Sequence, residues 1–144
     1  MSTEIIPHLW LGNYNAAEHV PASTSLVINC TNHIPFFSDH STNIRIPVED
    51  NEDPKQQSII VKYWTDELMD TILNHILQSR DVLIHCQMGR QRSAATVAAF
   101  FMTTGMSKED SIHKIRLKHK EAFFPDINFD EALDKYSEKI NNFD

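Results

Sequence analysis

Val82-Leu83-Ile84-His85-Cys86-Gln87-Met88-Gly89-Arg90-Gln91-Arg92-Ser93, running on through 94–102, is the stretch on which the fold turns. It reads as an apolar strand, a short polar loop and a helix-forming run. A loop of that length can curl its backbone N–H groups inward into an anion-binding nest, and the helix adds its positive N-terminal end to the same point. A cysteine at the mouth of such a nest is favoured as its thiolate, because the charged form is the one the nest stabilises. An arginine six residues on can return to the cup and grip two phosphate oxygens with its planar fork. The thiolate then faces phosphorus, which is the apparatus for hydrolysing a phosphate monoester through a phosphocysteine.

A bare Cys-x5-Arg is a weak signal. With His before the cysteine, Gly three after it and Ser or Thr after the arginine, the pattern arises by chance on the order of 10⁻⁵ per chain. That rarity sets aside an inert buried cysteine beside a surface arginine. Cys86 is therefore read as the nucleophile. The phosphate charge falls to Arg92 and to the backbone N–H groups of Gln87, Met88, Gly89, Arg90, Gln91 and Arg92. Ser93 can donate its hydroxyl to the sulfur when the thiolate leaves, or cap the following helix. His85, at the end of a buried strand, either orients Cys86 and holds its charge by hydrogen bonding or is a plain core histidine. Gly89 permits a backbone turn that a side chain would obstruct.

These residues resemble the signature of the cysteine-dependent protein phosphatases, most closely the dual-specificity branch. The likeness extends over nearly the whole chain. Ile6-Pro7-His8-Leu9-Trp10-Leu11-Gly12-Asn13 is similar to that branch's first hairpin, and Val27-Ile28-Asn29-Cys30-Thr31 to its next strand. Ala99-Phe100-Phe101-Met102 stands where the family commonly has Ala-Tyr-Leu-Met. Pro125-Asp126-Ile127-Asn128-Phe129 resembles its Pro-Asn-x-x-Phe element, with Asp126 in place of the usual Asn. The resemblance implies an α/β fold, protein-tyrosine-phosphatase-like, with a short mixed central sheet flanked by helices.

A leaving alkoxide or phenoxide needs a proton, so a carboxylic acid is expected on a loop near the cup. Ile46-Pro47-Val48-Glu49-Asp50 resembles the family's strand-end pattern leading to its general-acid aspartate, which points to Asp50. Asp53 fits the family's separation from the nucleophile better, and both stay open. Cys30 falls where some relatives carry a second cysteine near the nucleophile. It is read as a possible redox partner that could resolve an oxidised Cys86 as a disulfide, or as a small core residue.

At 144 residues, 41% hydrophobic and 23% charged, the chain is expected to fold as one globular domain spanning 1–144 without structural metal or disulfides. No apolar run approaches the ~18 residues a transmembrane helix needs. Met1-Ser2-Thr3-Glu4 carries neither leader nor myristoylation signals. Together with the free thiol the nucleophile requires, this suggests a cytoplasmic setting, with the nucleus also open. The eight histidines are scattered, and no metal site or cofactor is expected. A net charge of −7 argues against general nucleic-acid binding. Charge is nonetheless uneven: an acidic knot spans 49–53, and a basic run spans 113–120. That run is either a solvated helix face or a landing strip for an acidic or multiply phosphorylated partner.

Strand signals fall at 5–6, 9–11, 26–29, 43–46 and 82–84. Apolar residues recur at helical spacing from Ile59 to Leu77, and further helix signals cover 93–104, 107–119 and 129–141, the second opened by the capping pattern Ser107-x-x-Asp110. The chain is expected to dephosphorylate phosphotyrosine and phosphoserine or phosphothreonine of proteins. The cation at Arg90 leaves inositol phosphates, phosphoinositides or RNA 5′-triphosphates as the alternative substrates. A phospho-binding module without turnover is the remaining reading.

Overall fold

The computed structural model describes residues 2–141; Met1, with which the segment read for leader signals begins, and 142–144 lie outside them. The described residues form β1 (Ser2–Ile6), β2 (Leu9–Gly12), α1 (Tyr14–Glu18), β3 (Thr24–Asn29), β4 (Thr42–Arg45), α2 (Pro54–Tyr63), α3 (Asp66–Leu77), β5 (Asp81–His85), α4 (Arg92–Thr103), α5 (Lys108–Lys118) and α6 (Asp130–Asn141). The sheet has the order β1-β2-β5-β3-β4, antiparallel only between β1 and β2. It is the short mixed sheet expected, with β5 at its centre.

Central parallel strands are covered on both faces, which is why β3 and β5 read as unbroken apolar runs and not as alternating ones. The period of two still sorts them. Leu9, Leu11, Leu26, Ile28, Val82 and Ile84 join the main core, together with the apolar residues of helix α4, which is buried from Arg92 to Met102. Val27 and Leu83 are buried outside that cluster, as are Ala16 and Ala17 of α1, which packs against β2 and β5. Each large apolar side chain so buried contributes about 1.5–3 kcal/mol. Helix α4 carries small residues (Ala94, Ala95, Ala98, Ala99) that let it lie close to the sheet, with α3, α5 and α6 packed around it.

The periodic run from Ile59 to Leu77 is two helices, not one. Thr65 accepts a hydrogen bond from the Leu68 N–H at 3.1 Å and starts α3, with Asp66 and Glu67 in its first turn. Trp64 ends α2 fully buried, its indole N–H donating to Thr96 Oγ1 at 3.1 Å, whereas Tyr63 beside it is exposed. The Ser107 cap forms as the sequence suggests, accepting from the Asp110 N–H at 3.0 Å. No helix among the described residues is long and apolar enough to cross a membrane.

Candidate active site

Ligand sites of parallel sheets lie beyond the carboxyl ends of the strands. At that end of β5, the loop 86–91 leads straight into α4. Two of its carbonyls are taken up by neighbouring segments. The Gln87 carbonyl accepts from the Tyr14 N–H at 3.0 Å, and the Arg90 carbonyl accepts from the Phe123 N–H at 2.7 Å. The first N–H groups of α4 have no intrahelical acceptor, and Gln91 at the cap position makes no side-chain cap bond. That leaves the N-terminal end of α4 with unsatisfied N–H groups beside the loop, a setting that favours an anion.

Gly89 is required twice over. Its φ is +72°, and a Cβ there would lie 2.9 Å from the Gly12 carbonyl oxygen. The bend it allows brings its own N–H to Cys86 Sγ at 3.3 Å. On the sulfur's other side stands Ser93 Oγ at 3.0 Å. Ser93 lies inside the first turn of α4, so its hydroxyl serves the sulfur and the capping alternative is not used.

Arg92 is almost wholly buried, and its Nη1 donates to the Val48 carbonyl at 3.1 Å. Its Nε is buried without a hydrogen-bond partner. The Nε–Nη2 edge is therefore the edge available to a ligand oxygen pair. Through Val48 the same arginine ties the acidic loop to the cup.

Asp50 and Asp53 part company. Asp53 is the N-cap of α2 and accepts from the Lys55 N–H at 2.9 Å, with Pro54 following. Asp50 is exposed, and its Oδ1 accepts from Asn128 Nδ2 at 2.9 Å. Asn128 is in turn held by Gln91, whose side chain accepts from the Asn128 N–H at 3.0 Å and donates to the Phe124 and Asp126 carbonyls at 3.2 and 2.7 Å. At the position where the resemblance leads to an expected Asn, Asp126 thus contributes its backbone, and the side chain that reaches Asp50 is that of Asn128, two residues on. The buried Gln57 closes the network by donating to the Asn51 and Asn128 carbonyls. Gln57, Gln91 and Asn128 were not singled out for these roles from sequence, because their partners lie far along the chain.

His85 is buried, and its Nδ1 has no partner. Burial pushes it down to about 4, partly offset by a hydrogen bond with the Cys86 backbone. It is neutral near pH 7, so it can orient the Cys86 backbone but brings no positive charge to the sulfur. The unfolded chain takes up this proton below about pH 6.5, whereas the folded one waits until about 4. Stability is fully present above pH 6.5 and is lost as the pH falls toward 4, by on the order of 3 kcal/mol from this group. Urea unfolding at pH 7 and pH 4.5 should show that loss in the wild type and a smaller one in His85→Gln. Equal losses would mean that His85 does not carry the effect.

Cys30 is fully buried, and its N–H donates to the His85 carbonyl at 2.8 Å. Asn29 pairs with His85, so Cys30 lies beside Cys86, with neighbouring strands about 5 Å apart. The two sulfurs point to the same helix: Cys30 Sγ is 3.5 Å from Thr96 Oγ1, and Cys86 Sγ contacts Ser93. Burial pushes the Cys30 thiol up to about 12, with the Thr96 hydrogen bond acting in the other direction.

A family model for the dual specificity phosphatase catalytic domain matches residues 9–139. Dual specificity protein phosphatase 8 of Mus musculus is 31% identical over 145 residues, a match covering 96% of this chain and 21% of that protein. Dual specificity protein phosphatase 1 of Homo sapiens is 29% identical, covering 95% and 37%. The chain therefore spans well under half the length of these curated relatives. Among solved structures, human DUSP28 superposes with a TM-score of 0.81 at 23% identity, over 97% of this chain and 95% of that one, a likeness of fold.

Proposed function

The chain belongs to the dual-specificity phosphatase catalytic-domain family, and on that premise we propose that it removes phosphate from phosphotyrosine and phosphoserine or phosphothreonine of proteins through a phosphocysteine at Cys86. The observation that carries this reading is the setting of the Cys86 sulfur, between the Gly89 N–H and the Ser93 hydroxyl in a loop whose Gln87 and Arg90 carbonyls are held by neighbouring segments. The unpartnered Arg92 Nε beneath it adds a donor suited to a phosphate oxygen.

In the first step the Cys86 sulfur attacks phosphorus opposite the ester oxygen. The S–P bond forms, the P–O bond breaks, and the Asp50 carboxyl gives its proton to the leaving oxygen. The inward N–H groups and Arg92 neutralise the equatorial oxygens as charge shifts. A water molecule then attacks the phosphocysteine, Asp50 takes its proton, and the electron pair of the S–P bond returns to Cys86. Ser93 donates a hydrogen bond to the departing sulfur. Inorganic phosphate leaves, and no metal takes part. Asn128 acts on this chemistry through Asp50, as a positioning residue. The test is turnover of phosphotyrosine and phosphothreonine peptides side by side in the presence of a chelator, with hydrolysis of both expected. Activity that needs an added divalent cation would overturn the proposal, as would activity confined to inositol phosphates, phosphoinositides or RNA 5′-triphosphates.

The neighbouring strand positions of the two thiols support a second proposal, redox protection of Cys86 by Cys30. Hydrogen peroxide converts the Cys86 thiolate to a sulfenic acid; the Cys30 sulfur displaces its oxygen as water, leaving a disulfide. Peroxide-treated wild type should contain a Cys30–Cys86 disulfide by mass spectrometry and recover activity with dithiothreitol. Cys30→Ala should lose activity irreversibly at the same dose. No disulfide, with equal recovery in both proteins, would leave Cys30 as packing alone.

A further inference from the structure

The period of two that sends Leu9, Leu11, Val82 and Ile84 to the main core turns Trp10 and Leu83 to the opposite face of the sheet, in register on β2 and β5. Helix α1 packs over that face and, at five residues, leaves Trp10 partly exposed. Beside the helix is a cavity of about 130 Å³. It is lined by Trp10 and Leu83 of the sheet, by Ala16 of α1, and by Ser23, Thr24 and Asp81 where β3 and β5 begin. None of these residues belongs to the cup at Cys86.

The cavity sets one anion beside an aromatic ring. Among the described residues, Asp81 is the carboxylate of its lining, which holds no lysine or arginine. His19, also in the lining, turns its Nδ1 to the Asn15 carbonyl at 3.0 Å. Ser23 Oγ donates to Asp81 Oδ2 at 3.0 Å, and His8 Nδ1 lies 2.9 Å from Oδ1. These contacts aim the carboxylate and leave each oxygen a second lone pair. His8 balances the charge only when it is protonated. A cation over an aromatic face is drawn to the ring quadrupole, and indole is the best of the aromatic side chains for this. In size the cavity is close to the roughly 150 Å³ that takes up one benzene ring.

We propose that this cavity is an effector site for a small aromatic cation, a single ring bearing an amidine, guanidine or amine group that packs on Trp10 and pairs with Asp81. A molecule of several rings exceeds the space, and an anion would face the carboxylate in a chain whose net charge is −7. Helix α1 carries the effect to the cup. It leaves β2 just after Gly12, whose carbonyl accepts from the Cys86 N–H at 3.4 Å. Its first residue, Tyr14, donates its N–H to the Gln87 carbonyl at 3.0 Å. So short a helix is marginal by itself. A ligand packed against Ala16 therefore braces the segment that anchors the signature loop, and the anion site beside that loop is held in its binding form.

The test titrates benzamidine into the full chain at constant ionic strength, with benzyl alcohol and benzoate as neutral and anionic rings. The indole N–H signals of Trp10 and Trp64 are followed by NMR. Benzamidine should shift the Trp10 signal, leave that of the buried Trp64 in place, and bind with about millimolar affinity or better. It should bind at least about tenfold more tightly than benzyl alcohol, and benzoate should not shift Trp10. Asp81→Asn, which keeps an acceptor for His8, should remove the margin over benzyl alcohol, with thermal unfolding to verify the fold. Ser23→Phe, at an exposed position of the rim, should block both rings. Inorganic phosphate should bind at least about twofold more tightly with benzamidine present, and benzamidine more tightly with phosphate by the same factor. No shift at Trp10, equal affinities for the three rings, or a margin that survives Asp81→Asn would overturn the site. Binding at Trp10 with phosphate affinity unchanged would overturn the effector role. Neither readout needs turnover, so the phosphatase reading stands or falls separately.

Discussion

Cys86→Ser is expected to lower hydrolysis of an aryl phosphate by at least about 10⁴-fold while leaving a folded protein that still binds phosphopeptides. The exchange replaces one atom in a buried position whose neighbours, the Gly89 N–H and Ser93 Oγ, can bond to oxygen as well as to sulfur. A serine hydroxyl, however, is not ionised by a nest of N–H dipoles near pH 7 and is a far weaker nucleophile than a thiolate. Arg92 and the inward N–H groups remain, so phosphate affinity remains. Progress curves on an aryl phosphate, with thermal unfolding to verify the fold, decide it. A folded variant retaining even a hundredth of the wild-type rate would rule out a nucleophilic role for Cys86.

Asp50→Ala is the second large effect, about 10²–10⁴ in kcat on phosphothreonine peptides and distinctly less on aryl esters with good leaving groups. A poor leaving group needs the proton, and a good one does not. Asp53→Ala should behave differently. Asp53 caps α2, so its loss should cost about 0.5–2 kcal/mol of stability with little change in kcat. Asn128→Ala should fall between wild type and Asp50→Ala in kcat, with the same leaving-group trend and an unchanged KM, because it acts by holding Asp50. If Asp53→Ala shows the leaving-group dependence and Asp50→Ala does not, the acid has been assigned to the wrong residue.

The signature was legible because the chemistry needs its parts contiguous. His85, Cys86, Gly89, Arg92 and Ser93 follow one another on one strand–loop–helix, so their residue types together with their spacing mark the segment. The helix from Lys108 was legible for the same local reason, its cap lying three residues from the N–H it satisfies. The break between α2 and α3 was hidden because both helices bury their apolar faces toward one core and the period runs on across Trp64 and Thr65. Helix α1, at five residues, is too short to give a periodic signal.

The polar hubs could not be read at all. Gln57 reaches Asn128 and Ala132, and Gln91 reaches Phe124, Asp126 and Asn128, across separations that leave no pattern in the chain. Asp50 and Asp53 illustrate the same limit. Both are acidic loop residues at usable spacing, and only the fold shows that one is occupied as a helix cap while the other is held beside the 124–128 loop. The basic run is a third case. Sequence treats its cations alike, yet Lys114 and Arg116 are taken up by aromatic rings and carbonyls while Lys118 and Lys120 line a cleft with Met88 and Arg90 of the signature loop.

The most direct test of the account is rapid quenching of wild-type enzyme with a phosphotyrosine peptide, followed by acid-stabilised digestion and mass spectrometry. The account predicts one phosphoryl group on the peptide containing Cys86 during turnover. It should build up further in Asp50→Asn with a good leaving group, where attack still proceeds but activation of water is lost, and be absent in Cys86→Ser. Steady turnover with no phosphorylated Cys86 at any quench time, or with the phosphoryl group on another residue, would contradict it.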